Sequence, residues 1–225
     1  MEIVDYLGEQ IHETPILDWV ATLFSILYVW LAARDNNWCW LFAAVGSLIW
    51  AHQMLAVYGL PSDALLQLFY LLMAGVGIYQ WRRKSIRRRA EGQALDSIAV
   101  QREEETVAPI STMTPGEHLA VIAGGLLLGY GLGNFMAAYR PGIEMYYWDG
   151  ITTTLSVLAT ILLIARRIEN WLYFIVIDAV YIYIYLNRGA DLYALIMLVY
   201  IAMAVYGYVH WNRLLAIDRS HQSAA

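Results

Sequence analysis

The chain has 225 residues, 60% of them hydrophobic and 15% charged, with a net charge of −5 and a mean hydropathy of +0.50. A soluble domain carries about a quarter charged residues, so the composition excludes an ordinary water-soluble enzyme domain and points to lipid. The single cysteine, Cys39, excludes a disulfide framework and offers no metal site. It reads as a small residue in a helix contact.

The opening stretch, "MEIVDYLGEQIHETPILD", has no Lys or Arg and no cleavage motif, so it is expected to be extracytoplasmic and not a signal peptide. Apolar runs close to the roughly 20 residues that cross a hydrocarbon core then follow at 16–33, 38–57, 64–81, 117–139, 148–165, 170–186 and 191–211. Backbone amides in lipid must be satisfied within their own segment, so these runs are helices. The expected fold is an all-α polytopic membrane protein with seven transmembrane helices. Residues 82–116 form the one long polar segment, basic in "RRKSIRRR" and acidic in "REEE". It reads as a solvated linker with an arginine cluster suited to anionic lipid. The positive-inside rule puts it in the cytoplasm. All of the 14 basic residues except Arg140 and Arg188 then fall on that side, with the N-terminus outside and the C-terminus inside.

The runs also repeat. Asp18, Thr22 and Ser25 match Asp149, Thr153 and Ser156, and Gly59, Tyr70, Gly77 and Trp81 match Gly189, Tyr200, Gly207 and Trp211 at a nearly constant offset. In the second helix of each set, Asn37-Trp38 pairs with Asn170-Trp171. Residues 16–81 and 148–211 are therefore expected to be two copies of a three-helix unit. The unmatched helix at 117–139 inverts the chain between them. One extra crossing keeps the copies parallel, the 3+1+3 arrangement of SWEET-type carriers. Such a duplication suits two bundles that rock about a site near the midplane, and a mere anchor has no need of it.

Charged groups within spans are costly and usually face a cavity or the bundle interior. Asp18 and Asp149 lie within a turn of a helix start, where an acid suits the free amides and the dipole. Asp178 lies about 12 Å into its span from Asn170, near mid-depth. Tyr181 and Tyr185 follow at i+3 and i+7 and share its face. A carboxylate beside tyrosine rings suits a flat organic cation: the acid neutralises it and the rings stack. The competing reading is a helix-locking Tyr–Asp hydrogen bond. Gln67, His52 and Gln53 are polar groups that could meet the same cavity, although such residues more often bond helix to helix. Trp50, away from both membrane faces, is a stacking candidate. Trp38, Trp40, Trp81, Trp171 and Trp211 are expected mostly as interfacial belt residues. Gly75 and Gly77 are expected at close-packing positions, and Thr152, Thr153 and Thr154 to bond back to their own helix. No H-E-x-x-H, nucleophile elbow or phosphate-binding loop occurs, so no enzyme activity, cofactor, metal or nucleic-acid partner is expected.

The segment "WDGITTTLSVLATILLIARRIENWLYFIVIDAVYIYIYLNRGADLYALIMLVYIAMAVYGYVHW" resembles the C-terminal half of the PnuC-type vitamin transporters through its "WD…LS…ENWL" framework and closing "YG…W". "GLPSDALLQLFYLLMAGVGIYQW" resembles that family's Gln-bearing third span. The resemblance covers residues 16–211 apart from the linker. It implies a homotrimer in the bacterial inner membrane that carries an unphosphorylated vitamin down its gradient, with a cytoplasmic kinase trapping the cargo. It also implies that Gln67, Trp171 and Asp178 lie near the substrate. The nicotinamide riboside members carry Asn where this chain has Asp178. An amide can pair with a carboxamide through donor and acceptor, whereas an ionised acid only accepts. The departure ranks thiamine first, nicotinamide riboside second and riboflavin third as the expected cargo.

Overall fold

The computed structural model describes residues 14–57, 66–82, 110–139, 145–187 and 191–223. Seven helices occur among them: α1 Ile16–Ala33, α2 Cys39–His52 continuing into a π turn Gln53–Val57, α3 over 66–82, α4 Pro115–Tyr139, α5 Tyr146–Ile164, α6 Asn170–Asn187 and α7 Asp191–Ser223. Six of them are long and apolar enough to cross a membrane, the exception being α3, which is described only from residue 66. α7 runs well past the expected end at residue 211, because "NRLLAIDRSHQS" contains no helix breaker once the apolar run stops. The Arg140 and Arg188 turns, Gly59, Gly189, the opening segment and most of the polar linker lie outside the described residues.

The chain divides into two compact units. The N-terminal unit holds α1–α3, the turn residues 164–166 and α7 from Trp211 onward. Its core is a cluster of tryptophans. Trp40 meets Trp81 edge-on at 5.2 Å, and Trp81 lies 6.3 Å from Trp211. The ring of Trp40 fills the place where a Cβ on Gly77 would sit, whereas Gly75 faces open space, so only one of the two glycines is a close-packing position. The Trp81 indole N–H donates to the Ile164 carbonyl and that of Trp211 to the Ala32 carbonyl, each at 3.2 Å. These bonds take up carbonyls that helix ends leave without intrahelical partners. The belt expectation is thereby corrected: Trp40, Trp81, Trp171 and Trp211 are fully buried, and Trp38, 66% exposed, is the one of the five that is open.

Arg166 passes over the Trp81 ring at 4.7 Å and the Trp211 ring at 5.3 Å. It holds Asp35 with both terminal nitrogens, at 2.5 Å and 2.6 Å. Asp35 and Arg166 both have φ of 59°, and they stand 131 residues apart. Their turns share one hydrogen-bond pattern. Asn36 N–H donates to Leu31 and Arg167 N–H to Leu162; Cys39 donates to Asn36 and Asn170 to Arg167; Trp40 donates to Asn37 and Trp171 to Ile168. The backbone therefore pairs Trp40, not Trp38, with Trp171. The Asn-Trp match in the sequence was two residues out of register.

The C-terminal unit holds 111–163 and 167–210. α4 opens on a reciprocal capping box: Thr114 N–H donates to Glu117 Oε2 at 2.7 Å, and Glu117 N–H donates to Thr114 Oγ1 at 3.3 Å. Pro115 takes the first helical position, where its missing N–H costs nothing. The end of the polar linker is pinned to the α5–α6 turn. Ile168 N–H donates to the Ser111 carbonyl, Arg167 donates to the Thr112 carbonyl and to Glu117, and Met113 N–H donates to Glu169. Gly125, Gly129 and Gly133 line the buried face of α4. A Cβ on Gly129 would lie 2.5 Å from the Ile151 Cα, and one on Gly150 would lie 2.5 Å from the Gly129 carbonyl oxygen, so α4 and α5 touch backbone to backbone. Thr154 spans this contact by donating to the Gly125 carbonyl at 2.9 Å while also bonding back to Gly150. Thr152 bonds back to Trp148, as expected for a hydroxyl within an apolar helix.

Candidate functional site

Of the eight sequence-derived candidates, Asp178, Tyr181, Tyr185 and Trp171 belong to the C-terminal unit, and Trp50, His52, Gln53 and Gln67 to the N-terminal unit.

In the C-terminal unit, α6 turns Ile177, Asp178 and Ile184 inward. Asp178 is 8% exposed, and its carboxylate forms no hydrogen bond or ion pair among the described residues. The helix-locking Tyr–Asp bond considered from sequence is absent there. Instead the Tyr181 hydroxyl sits among the hydroxyls of Thr152, Ser156 and Thr153 on α5, within electrostatic reach of Asp149. Tyr181 stands one turn from Asp178 on α6. Tyr185 stacks on Tyr181 with centroids 5.7 Å apart and planes 17° from parallel. Tyr193, at the start of α7, continues the array 5.7 Å from Tyr185. All three rings are partly exposed. Together these side chains can take a planar group bearing positive charge: a carboxylate with no counter-ion among the described residues, and ring faces beside it.

Trp171 is placed differently. It is 1% exposed, and its ring lies against α7, where a Cβ on Gly207 would meet it at 2.8 Å. It stands in the first turn of α6, about two turns from Asp178. Its place is that of a packing residue.

In the N-terminal unit, Gln53 is 1% exposed and donates to Asp18 Oδ1 at 2.8 Å, while its Oε1 faces His52 Nδ1 at 3.3 Å. Gln53 thus ties α2 to α1. Asp18 does more than face a helix dipole: it is 1% exposed and accepts this bond. The amide starts the π turn Gln53–Val57, a local widening of the helix frequent at functional sites. His52 is exposed, and Trp50 is half-buried. Gln67, also half-buried, forms no hydrogen bond among the described residues. At the 131-residue spacing of the turns, Ser47 corresponds to Asp178 and Trp50 to Tyr181. Both copies therefore carry an aromatic residue three places after the position that is acidic in only one.

Sequence reasoning did not reach Tyr193 or the Asp18–Gln53 bond, and it read Thr153 and Ser156 as repeat positions, not as neighbours of Tyr181. A signal for Thr153 and Ser156 was present, since they stand at helical spacing in an otherwise apolar span. The others join different helices, and no periodicity announces them.

A chain with six helices long and apolar enough to cross a membrane is a multi-pass membrane protein. The family model described as Nicotinamide mononucleotide transporter matches residues 15–213, and the chain belongs to that family, one of transporters and not of enzymes. The chain is 24% identical over 218 residues to the nicotinamide riboside transporter PnuC of Escherichia coli (strain K12), covering 91% of this chain and 88% of that protein. It is 25% identical over 203 residues to the protein of the same name from Neisseria mucosa, covering 87% and 71%. Among solved structures, the vitamin B3 transporter PnuC matches with a TM-score of 0.66 at 22% identity, covering 95% of this chain and 89% of that one. That likeness supports the fold.

Proposed function

We propose that this protein carries an unphosphorylated, cationic vitamin, nicotinamide riboside, across the bacterial inner membrane by facilitated diffusion. The observation that carries the reading is Asp178, a carboxylate 8% exposed in a membrane-crossing helix with no partner among the described residues. An uncompensated acid at that depth costs several kcal/mol unless something neutralises it, and a pyridinium riboside does so. The relatives named above are nicotinamide riboside transporters, which reverses the order drawn from the Asn-to-Asp departure alone. Thiamine, with its thiazolium charge, is the second reading, favoured by the same acid.

The family description names the mononucleotide and the relatives name the riboside; electrostatics favour the riboside. A phosphate would add negative charge near Asp178, and the helix that carries it, Asn170–Asn187, holds no Lys or Arg to balance it. A carrier without an ATP site equilibrates its cargo, so net uptake calls for a cytoplasmic kinase that phosphorylates the vitamin. A duplicated three-helix unit suits alternating access, and the matching turns at Asp35 and Arg166 support the duplication. A homotrimer with its C-terminus in the cytoplasm completes the proposal.

Calorimetry on the purified protein tests the cargo. Nicotinamide riboside should bind at least tenfold more tightly than nicotinamide mononucleotide or riboflavin. Equal binding of the mononucleotide would overturn the electrostatic argument.

A further inference from the structure

Three tyrosine rings run away from Asp178. Tyr181 shares its face of α6, Tyr185 stacks on Tyr181 at 5.7 Å, and Tyr193 on α7 lies 5.7 Å from Tyr185. Each step is within the roughly 4.5–7 Å separation of paired aromatic rings. The array spans about two turns of α6 and crosses to α7 near the end where α6 stops at Asn187. The copy in the N-terminal unit has no such array: the position matching Tyr185 is Met54, and Trp50 stands alone at the position of Tyr181. A stack used only for packing would gain as much from Leu or Phe. Three successive tyrosines ending at an acid with no partner among the described residues fit a path for a planar charge.

We infer that Tyr193 and Tyr185 form an outer waiting site for a planar organic cation, which passes ring by ring to Tyr181 and Asp178. This rests on the assignment of Asp178 as the counter-charge. Tyr193 acts before the cargo reaches the acid, so it selects cationic aromatic cargo and sets the apparent affinity for entry, whereas Asp178 sets the depth of binding.

The test uses the full-length protein in proteoliposomes with labelled nicotinamide riboside, and its neutral reduced form as competitor. Tyr193→Leu should raise KM about fivefold with kcat little changed, the size of an exposed cation–π contact. It should also lower the preference for the cation over the neutral competitor by a similar factor. Tyr193→Phe, which keeps the ring, should recover most of the loss. If Tyr193→Leu fails to assemble, Tyr193→Trp takes its place and should lower KM. An unchanged KM and preference in Tyr193→Leu, a Phe variant as impaired as the Leu one, or a Trp variant with unchanged or raised KM would each overturn the waiting site. Asp178→Asn measured alongside separates the two readings. A loss of preference in Asp178→Asn with none in Tyr193→Leu removes the waiting site alone. No loss of preference in Asp178→Asn removes the counter-charge on which it rests.

Discussion

Replacing Asp35 by Asn isolates the charge of the buried pair from the shape of its turn. Asn adopts the left-handed backbone more readily than other residues, so the φ of 59° at position 35 is preserved. The structure gives the size of the effect. Arg166 is 1% exposed, Asp35 is 11% exposed, and two nitrogen–oxygen contacts at 2.5 Å and 2.6 Å join them. Neutralising one partner of such a pair leaves a buried charge and costs about 3–5 kcal/mol. The Asn oxygen can still accept one hydrogen bond, which returns about 1 kcal/mol. The contacts of Arg166 with the Trp81 and Trp211 rings survive and do not enter the difference. The expected loss is about 2–4 kcal/mol, and at about 2–4 °C per kcal/mol for a chain of this size the melting point falls by roughly 4–16 °C. Tryptophan emission in detergent reads this directly, because both rings lie against the guanidinium. A fall of less than about 2 °C would show the pair to be screened or unimportant. Arg166→Met on the Asp35→Asn background should recover part of the loss, since no unpaired charge then remains.

Other substitutions test other parts of the structure. Asp178→Asn should lower the preference for cationic nicotinamide riboside over its neutral reduced form about tenfold, the scale of a hydrogen bond to a charged group. The amide, as in the nicotinamide riboside members, can still pair with the carboxamide. The same variant should raise the melting point of the ligand-free protein, because an uncompensated acid is removed; a less selective binder that is also less stable would give Asp178 a packing role. Gly129→Ala should lose about 1–3 kcal/mol or more, since its Cβ would lie 2.5 Å from the Ile151 Cα, and helix backbones move aside only at that scale of cost. Gly131→Ala, with nothing within 4 Å of the added methyl, should be neutral or slightly stabilising in the same thermal assay.

The helices were legible because hydropathy alone sets their length. Where the reading slipped, the cause was information that lies between helices. Residue type placed Trp40, Trp81, Trp171 and Trp211 near one end of their spans, but not on which face; packing against Gly77, Gly207 and Arg166 buries them. The Asn-Trp dipeptide suggested one register for the second helices, and the left-handed turns at Asp35 and Arg166 impose another. The Asp35–Arg166 pair joins residues 131 apart, and no local pattern forecasts it. Asp178 was legible because a charge in an apolar run announces itself. Gln53 looked equally available until its bond to Asp18 tied it to α1. The glycines at 125, 129 and 133 carry a spacing that the sequence displays openly. Their partner, the backbone of α5, becomes visible only in three dimensions.

The most direct measurement is uptake of labelled nicotinamide riboside into proteoliposomes that contain the protein alone, with no ATP and no ion gradient. A facilitative carrier brings the internal concentration up to the external one and no higher, and adding a riboside kinase with ATP inside the vesicles drives further accumulation. Binding without flux would make the chain a receptor. Accumulation beyond equilibrium without the kinase would make it a pump of a kind that this structure does not explain.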